Sequence, residues 1–266
     1  MLSQIALEKI KTDLNLGKIK FYETISSTNQ IAKQWLEDGC PNLSLIAANS
    51  QTAGKGRQGR IWFTNSGTSL AISLIVNENI PPIQLIGGIA ALATHDAICN
   101  FLTEDEEVKI KWPNDILIAG KKVSGMLIEG HWVGNNLRGV VIGIGINIAP
   151  GSLSPEQPVR FPATFLEAHT QNNHPVDQLD LTRIILKRLI FWSTPDNQNF
   201  IINEWNKLLA FKGQKIKAIR NDKISLEGIL EMVSSEGSLT LRLADGKTIN
   251  FQANEVQISP LTSKKS

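Results

Sequence analysis

The stretch from residue 108 to residue 148 constrains the fold most strongly, because it reads as four successive β-strands joined by short turns. The predicted strands cover residues 108–112, 116–119, 123–128 and 138–148, with tight turns at Ala119-Gly120 and near Asn135. Strands joined by turns this short pair as antiparallel neighbours. This part of the chain therefore predicts an antiparallel sheet.

Further elements flank this stretch. Strands are predicted at residues 18–24, 43–49 and 69–76, and helices at residues 2–16, 85–101, 179–191 and 199–209, with another helix beginning near Ser27. Together these segments predict an α+β fold, in which a mixed, largely antiparallel sheet carries helices packed on one side.

The pattern changes near residue 211, where short strands replace long helices. Residues 215–220, 227–233, 238–243 and 248–252 read as strands, separated by the turn pairs Asn221-Asp222, Glu236-Gly237 and Asp245-Gly246. We therefore predict two domains, residues 1–210 and a small SH3-like β domain at residues 211–266.

Composition narrows the functional classes. The chain has 266 residues, with 27 Lys and Arg against 25 Asp and Glu, and a net charge of +2, too small to indicate DNA or a membrane surface. The most apolar stretch, residues 83–102, contains polar side chains and reads as a buried helix. Residues 1–15 show no signal-peptide pattern, and Cys40 and Cys99 have neither a disulfide-type nor a metal-ligand spacing. We therefore expect a cytoplasmic protein with reduced thiols.

A basic, glycine-rich loop is the first candidate site. The segment Gln51-Thr-Ala-Gly-Lys-Gly-Arg-Gln-Gly-Arg60 places three cations between three glycines. No helix pattern follows it, so it is not a dinucleotide fingerprint, and no Gly-Lys-Ser/Thr ends it as in a P-loop. Glycines allow close backbone approach to an anion, and Arg suits phosphate. The alternative is a solvated basic turn.

Three further motifs follow in the predicted sheet. Lys111-Trp-Pro-Asn-Asp115 lies at a corner between strands and could be only an Asx turn. A hairpin brings Lys122 of Gly120-Lys-Lys-Val-Ser-Gly125 beside Asp115, either as a surface ion pair or as a metal ligand next to a charge stabiliser. Gly143-Ile-Gly-Ile-Asn147 places two glycines inside a strand, which indicates either close approach of a ligand or another backbone, or a kink for packing. None of the four histidines shows metal-ligand spacing, so each reads as structural or surface.

The order of these motifs after Ser27-Thr-Asn29 resembles biotin–protein ligases over residues 21–148. The resemblance implies a catalytic domain like that of class II synthetases, followed by the family's C-terminal domain. One departure is Lys55, which stands where the family's loop usually has Arg, so charge is kept while the two-pronged phosphate geometry is lost.

The resemblance also implies roles for these residues. Lys122, Arg57 and Asp115 are the expected catalytic residues, with Asp115 holding either Lys122 or a magnesium ion. Biotin is expected to contact Ser27, Thr28, Asn29, Gln51, Gly54, Lys55, Gly56, Arg57, Lys122, Gly125, Gly143 and Gly145. ATP or the adenylate is expected to contact Arg57, Arg60, Trp62, Asn114, Lys122 and Asn147.

The expected activity uses ATP and magnesium to activate biotin and transfers it to a lysine of the biotin carboxyl carrier domain of a carboxylase. A homodimer is also implied. A related lipoate–protein ligase is the nearest alternative. A biotin-responsive DNA-binding repressor is a second alternative, disfavoured because only about 25 residues precede Ser26; we expect neither DNA nor a membrane as partner.

Overall fold

A computed structural model describes residues 2–154, 161–220 and 224–261 of the chain. Its first sheet has seven strands in the order β1-β2-β3-β7-β6-β5-β4. These strands are β1 (Ile19–Ile25), β2 (Leu45–Gln51), β3 (Ser69–Val76), β4 (Val108–Lys111), β5 (Asp115–Ile118), β6 (Lys121–Val133) and β7 (Asn136–Asn147). The pair β1–β2 is parallel and the other five pairs are antiparallel, which confirms a mixed, largely antiparallel sheet.

The turns between these strands follow the local sequence. Ala119 and Gly120 have φ angles of 47° and 73°, the left-handed conformation of a primed two-residue hairpin turn. That turn sets β5 against the start of β6, so Asp115 pairs with Gly125 and Leu117 with Lys122. The hairpin predicted from sequence thus forms and brings the two motifs together.

In the part of the chain that the structure describes, six helices accompany the sheet: α1 (Gln4–Leu14), α2 (Thr28–Glu37), α3 (Ile83–Cys99), α4 (Gln178–Ser193), α5 (Pro195–Gln198) and α6 (Ile201–Leu208). They lie on both faces, so the prediction of helices on one side is wrong. Ala32 and Leu36 of α2 pack on Ile46, Ile75 and Val141, in a cluster separate from the main core. The remaining long helices join the main core on the opposite face. The physical reason is that β3 is buried at every position, and a strand buried on both faces needs cover on both.

The second sheet spans five antiparallel strands in the order β11-β10-β9-β8-β12. They are β8 (Lys215–Arg220), β9 (Ile224–Val233), β10 (Leu239–Arg242), β11 (Thr248–Phe251) and β12 (Gln257–Pro260). Sequence patterns predicted the first four and missed β12. Gly237 and Gly246 adopt positive φ angles at two predicted turns, while the predicted turn Asn221-Asp222 lies outside the described residues.

Side-chain hydrogen bonds join the second sheet to the first unit. Trp112, which is 1% exposed, donates from Nε1 to the carbonyl of Gly237 at 3.0 Å. Asn206 bonds the backbone of Val233 in both directions, each at 2.8 Å. The domain boundary at residue 210 remains a prediction.

Among the described residues, none of the helices combines the length and the apolar character that crossing a membrane requires.

Candidate active site

A row of small residues forms the floor of the site. Ala71, Gly145 and Gly125 pair successively across β3, β7 and β6, and Gly125 pairs with Asp115 on β5. Paired residues on neighbouring strands point to the same face. The row therefore leaves space above the sheet and ends at a carboxylate. A cavity of about 950 Å³ lies here.

Two lysines share the carboxylate of Asp115. Lys122 Nζ lies 2.6 Å from Asp115 Oδ1, and Lys111 Nζ lies 3.4 Å from Oδ2. The side chains of Lys111 and Asp115 are only 12% and 13% exposed, whereas Lys122 is 25% exposed towards the cavity. Lys122 is thus the more accessible cation, and Asp115 fixes its position.

Burial and charge act in opposite directions on this cluster. Burial alone would raise the pKa of the Asp115 carboxyl, but the attraction of Lys122 and Lys111 outweighs it, so the pKa is lowered. Burial lowers the pKa of Lys111, which the Asp115 charge opposes and the Lys122 charge reinforces. The lowered pKa means that the Asp115 carboxylate stays ionised between the two lysines.

The basic loop folds over the same cavity. Arg57 Nη1 donates to Asn114 Oδ1 at 3.0 Å, and its Nη2 donates to the carbonyl of Ala253 in the second unit. Burial lowers the pKa of Arg57, partly offset by the charge of Asp115. Asn114 is itself fixed, since its Nδ2 donates to the Met126 carbonyl at 2.6 Å. Arg57 therefore connects the loop, the motif corner and the second unit.

A polar network occupies the opposite end of the cavity. The Gln51 side chain accepts from the Thr28 amide at 2.8 Å and from the Thr28 hydroxyl at 3.1 Å, and it donates to Thr64 Oγ1 at 3.0 Å. Ser73 Oγ lies 2.8 Å from Thr28 Oγ1 and donates to Asn29 Oδ1 at 2.6 Å. This end offers uncharged donors and acceptors, in contrast to the cationic end.

The glycines of the floor make room for specific side chains. A Cβ on Gly145 would lie 2.4 Å from the Trp62 indole, and a Cβ on Gly143 would lie 1.9 Å from Asn29 Oδ1. A Cβ on Gly125 would lie 3.0 Å from Lys122 Nζ. Side chains of the site therefore pack against the two strand glycines, and the close approach of a ligand to them stays a prediction.

Trp62 lies between the two ends. The Lys122 ammonium is 5.3 Å from its ring centroid, a cation–π distance. Its Nε1 is buried without a hydrogen-bond partner among the described residues. A buried donor without a partner is costly in a folded protein and is typical of sites that rearrange or bind a ligand.

Most predicted site residues line this one cavity. Those that do so are Ser27, Thr28, Asn29, Gln51, Lys55, Gly56, Arg57, Arg60, Trp62, Asn114, Asp115, Lys122, Gly125, Gly143, Gly145 and Asn147. Gly54 is not in the lining. A Cβ there would lie 2.3 Å from the Trp62 carbonyl, so this glycine serves the close pairing of the loop with residue 62.

Several lining residues were not predicted from the sequence, among them Lys111, Phe161, Ala163 and residues of the second unit. Lys111 begins the motif that ends at Asp115, and the pairing of these two residues across the hairpin is the sequence signal that could have indicated it. Residues of the second unit, including Ile219 and Gln257, also line the cavity. No sequence signal indicated them, because their approach depends on how the second sheet packs against the first unit.

Comparison with known proteins assigns this architecture to a class. The model of the biotin/lipoate A/B protein ligase family matches residues 21–147, which contain the sheet floor, the basic loop and the lysine pair. Biotin–[acetyl-CoA-carboxylase] ligase of Paracoccus denitrificans is 31% identical over 230 residues, covering 84% of this chain and 93% of that protein. The chain therefore belongs to the biotin–protein ligase family.

Other relatives share part of their length. The bifunctional ligase/repressor BirA of Bacillus subtilis is 34% identical over 158 residues, which cover 58% of this chain and 45% of that protein. The match thus spans less than half of the Bacillus protein. The solved biotin protein ligase of Aquifex aeolicus in complex with biotin and ATP has a TM-score of 0.75 at 22% identity, covering 91% of this chain and 99% of that one. That likeness establishes the shared fold.

Proposed function

We propose that this protein joins biotin and ATP into biotinyl-5′-AMP and then transfers biotin to a lysine of a biotin carboxyl carrier protein. One observation carries the proposal. The Lys122–Asp115 pair, the basic loop and the Thr28–Gln51 network face a single cavity. A carboxylate and a triphosphate repel each other, so a site that joins them needs cations at the meeting point.

In the first step, a biotin carboxylate oxygen attacks the α-phosphorus of ATP and pyrophosphate leaves. Lys122 stabilises the charge that develops on the phosphoryl oxygens, while Asp115 holds its ammonium in place. Lys111 adds a second buried positive charge behind the carboxylate. In the second step, the acceptor lysine amine attacks the anhydride carbonyl carbon and AMP leaves.

The uncharged end of the cavity suits the ureido ring of biotin. That ring presents N–H donors and a carbonyl acceptor, and Thr28 and Gln51 offer complementary groups held in fixed positions. Asn29 lines the cavity, but its amide bonds Ser73, Leu127 and Glu129. We assign Asn29 to holding this end together beneath the ligand.

The adenylate is assigned to the other end, near Trp62, Asn114 and Asn147. Arg57 and the loop around it close over the mixed anhydride, and its contact with Ala253 makes the second unit part of that closure. Closure excludes the water that would otherwise hydrolyse the anhydride.

Magnesium is proposed to arrive with the ATP phosphates and to be bound chiefly through them. Both Asp115 oxygens already face ammonium groups, so Asp115 suits Lys122 better than a metal ion. Among the described residues, no group of three or more His, Cys, Asp or Glu side chains could hold a metal. Mg²⁺ commonly binds through substrate phosphates and few protein oxygens. The SH3-like character of the second sheet and a cytoplasmic location stay predictions from the sequence pattern, and a homodimer stays a prediction from the resemblance.

The choice between biotin and lipoate tests the proposal. Purified protein is incubated with ATP, magnesium and either acid, and pyrophosphate release is measured. We expect release with biotin and at least tenfold less with lipoate, because a dithiolane ring offers no N–H donor or carbonyl acceptor to the polar end formed by Thr28 and Gln51. Preference for lipoate would contradict the assignment.

Binding of duplex DNA in the presence of the adenylate would contradict the prediction that DNA is not a partner.

A further inference from the structure

Residues 161–164 form a short segment, here called the clasp, which crosses one side of the cavity. Lys122 donates its backbone N–H to the Pro162 carbonyl at 2.7 Å, and Thr164 donates its backbone N–H to the Lys122 carbonyl at 2.9 Å. The Thr164 carbonyl also accepts from Asn147 Nδ2 at 3.0 Å. The clasp thus holds Asn147, which is assigned to the adenylate end, and Lys122, which lies where the two reactants meet.

The side chain of Thr164 continues the contact away from the cavity. Its Oγ1 lies 2.9 Å from His169 Nε2, and His169 Nδ1 lies 3.0 Å from Glu106 Oε1. Thr164 is 7% exposed, and the side chains of His169 and Glu106 are 12% and 26% exposed. Three distant parts of the sequence therefore meet in one line of polar groups.

The chemistry of these groups determines which atom donates in each hydrogen bond. A carboxylate only accepts hydrogen bonds, so Glu106 requires a proton on Nδ1 of His169. In the neutral imidazole, Nε2 is then an acceptor, and the Thr164 hydroxyl donates to it. Glu106 thereby selects the tautomer that orients Thr164, and Thr164 orients the carbonyl bonded to Asn147.

We propose that His169 and Glu106 are positioning residues which act through Thr164 to hold Lys122 and Asn147 for adenylate formation. This inference rests on the function proposed above. It predicts an asymmetric effect. The Thr164 carbonyl bonds Asn147 at the adenylate end, whereas Thr28 and Gln51 at the biotin end are fixed by each other, by Ser73 and by Thr64. A network that merely stabilised the fold would not discriminate between the two substrates.

The test compares Thr164→Val, which removes the hydroxyl at nearly constant shape, with Thr164→Ser, which keeps it. Biotin-dependent exchange of labelled pyrophosphate into ATP is measured as a function of ATP concentration, and biotin affinity without ATP is measured by calorimetry. We expect Thr164→Val to lower kcat/KM for ATP roughly threefold to tenfold, the effect of one lost hydrogen bond. Biotin affinity should stay within twofold in both variants, and Thr164→Ser should restore the ATP parameters.

A double variant tests whether His169 acts through Thr164. If His169 acts through Thr164, adding His169→Ala to Thr164→Val should lower kcat/KM for ATP by less than about twofold more, whereas independent roles would multiply. Unchanged ATP kinetics in Thr164→Val, an equal loss of biotin affinity, or a Ser variant that behaves like Val would overturn the proposal. Failure of the unaltered protein to catalyse any biotin-dependent exchange would contradict the proposed function itself.

Discussion

The ammonium of Lys122 lies 2.6 Å from one oxygen of Asp115, while Lys111 approaches the other oxygen at 3.4 Å. One carboxylate therefore orients two cations, and the hairpin between β5 and β6 sets the closer pair. Because Lys122 is the more exposed of the two lysines, it is the one able to meet both reactants. This relationship makes Lys122 and Asp115 the most informative positions to change.

Replacing Lys122 by Ala should slow adenylate formation by roughly 10²-fold or more, the scale of losing one aimed electrostatic donor. The measurement is biotin-dependent pyrophosphate exchange. The neighbouring Lys121 is exposed, so Lys121→Ala is a matched control that removes the same charge outside the cavity and should stay near normal. Near-normal exchange by Lys122→Ala would refute its role.

Replacing Asp115 by Asn should lower the free energy of unfolding at pH 7 by about 3 kcal/mol, because two poorly hydrated lysines lose their counter-charge. The folded-state pKa of Asp115 lies below its unfolded value, so the carboxylate stabilises the fold above about pH 4 and this contribution is lost as pH falls through the folded value. Urea unfolding at pH 7 and pH 3 should show the difference between the two proteins narrowing in acid. The exposed Asp13→Asn serves as control, and a difference that is equal at both pH values would contradict the ion-pair account.

Replacing Arg57 by Gly should let activated biotin escape. The side chain connects the loop to Asn114 and to the Ala253 carbonyl, so its removal frees the loop on one side. We expect more biotin on lysines of a bystander protein such as serum albumin, measured by blotting with labelled streptavidin. Arg57→Lys keeps the charge but loses the planar guanidinium that can donate two hydrogen bonds at once, so it should give an intermediate level of bystander labelling. Bystander labelling that stays at the level of the unaltered protein would rule out a lid role.

Replacing Gly145 by Ala should displace the Trp62 indole, since the new methyl would lie 2.4 Å from it. We expect a loss of about 1–3 kcal/mol in stability from overpacking and at least a tenfold loss in kcat/KM for ATP. Gly87→Ala is the control, because its methyl would lie at an ordinary 3.6 Å from Trp205 and alanine favours a helix. Equal kinetics for the two variants would show that Trp62 does not need this space.

Local chemistry explains which parts of the fold were predictable. The strand 69–76 matches its predicted bounds, and the tight turn predicted at Ala119-Gly120 forms, because a short apolar run and small turn residues act over a few positions. The parallel pairing of β1 with β2 and the placement of α2 on the opposite face were not predicted. Both depend on how distant segments pack.

In the candidate site, too, the contacts within one hairpin were predictable and the contacts between distant segments were not. The Asp115–Lys122 pair followed from one hairpin, which the sequence encodes directly. The clasp did not, since residues 162–164 reach Lys122 from some forty positions away along the chain. His169 read as structural or surface, and its bond to Thr164 became visible only when three segments were placed together.

The most direct test of the central claim identifies the intermediate. The purified protein is mixed with biotin, ATP and magnesium without an acceptor, quenched, and analysed by mass spectrometry. We expect biotinyl-5′-AMP and pyrophosphate in equal amounts, with the adenylate strongly reduced in Lys122→Ala. Formation of ADP and inorganic phosphate without biotinyl-5′-AMP would place the attack on the γ-phosphorus and rule out the proposed adenylate.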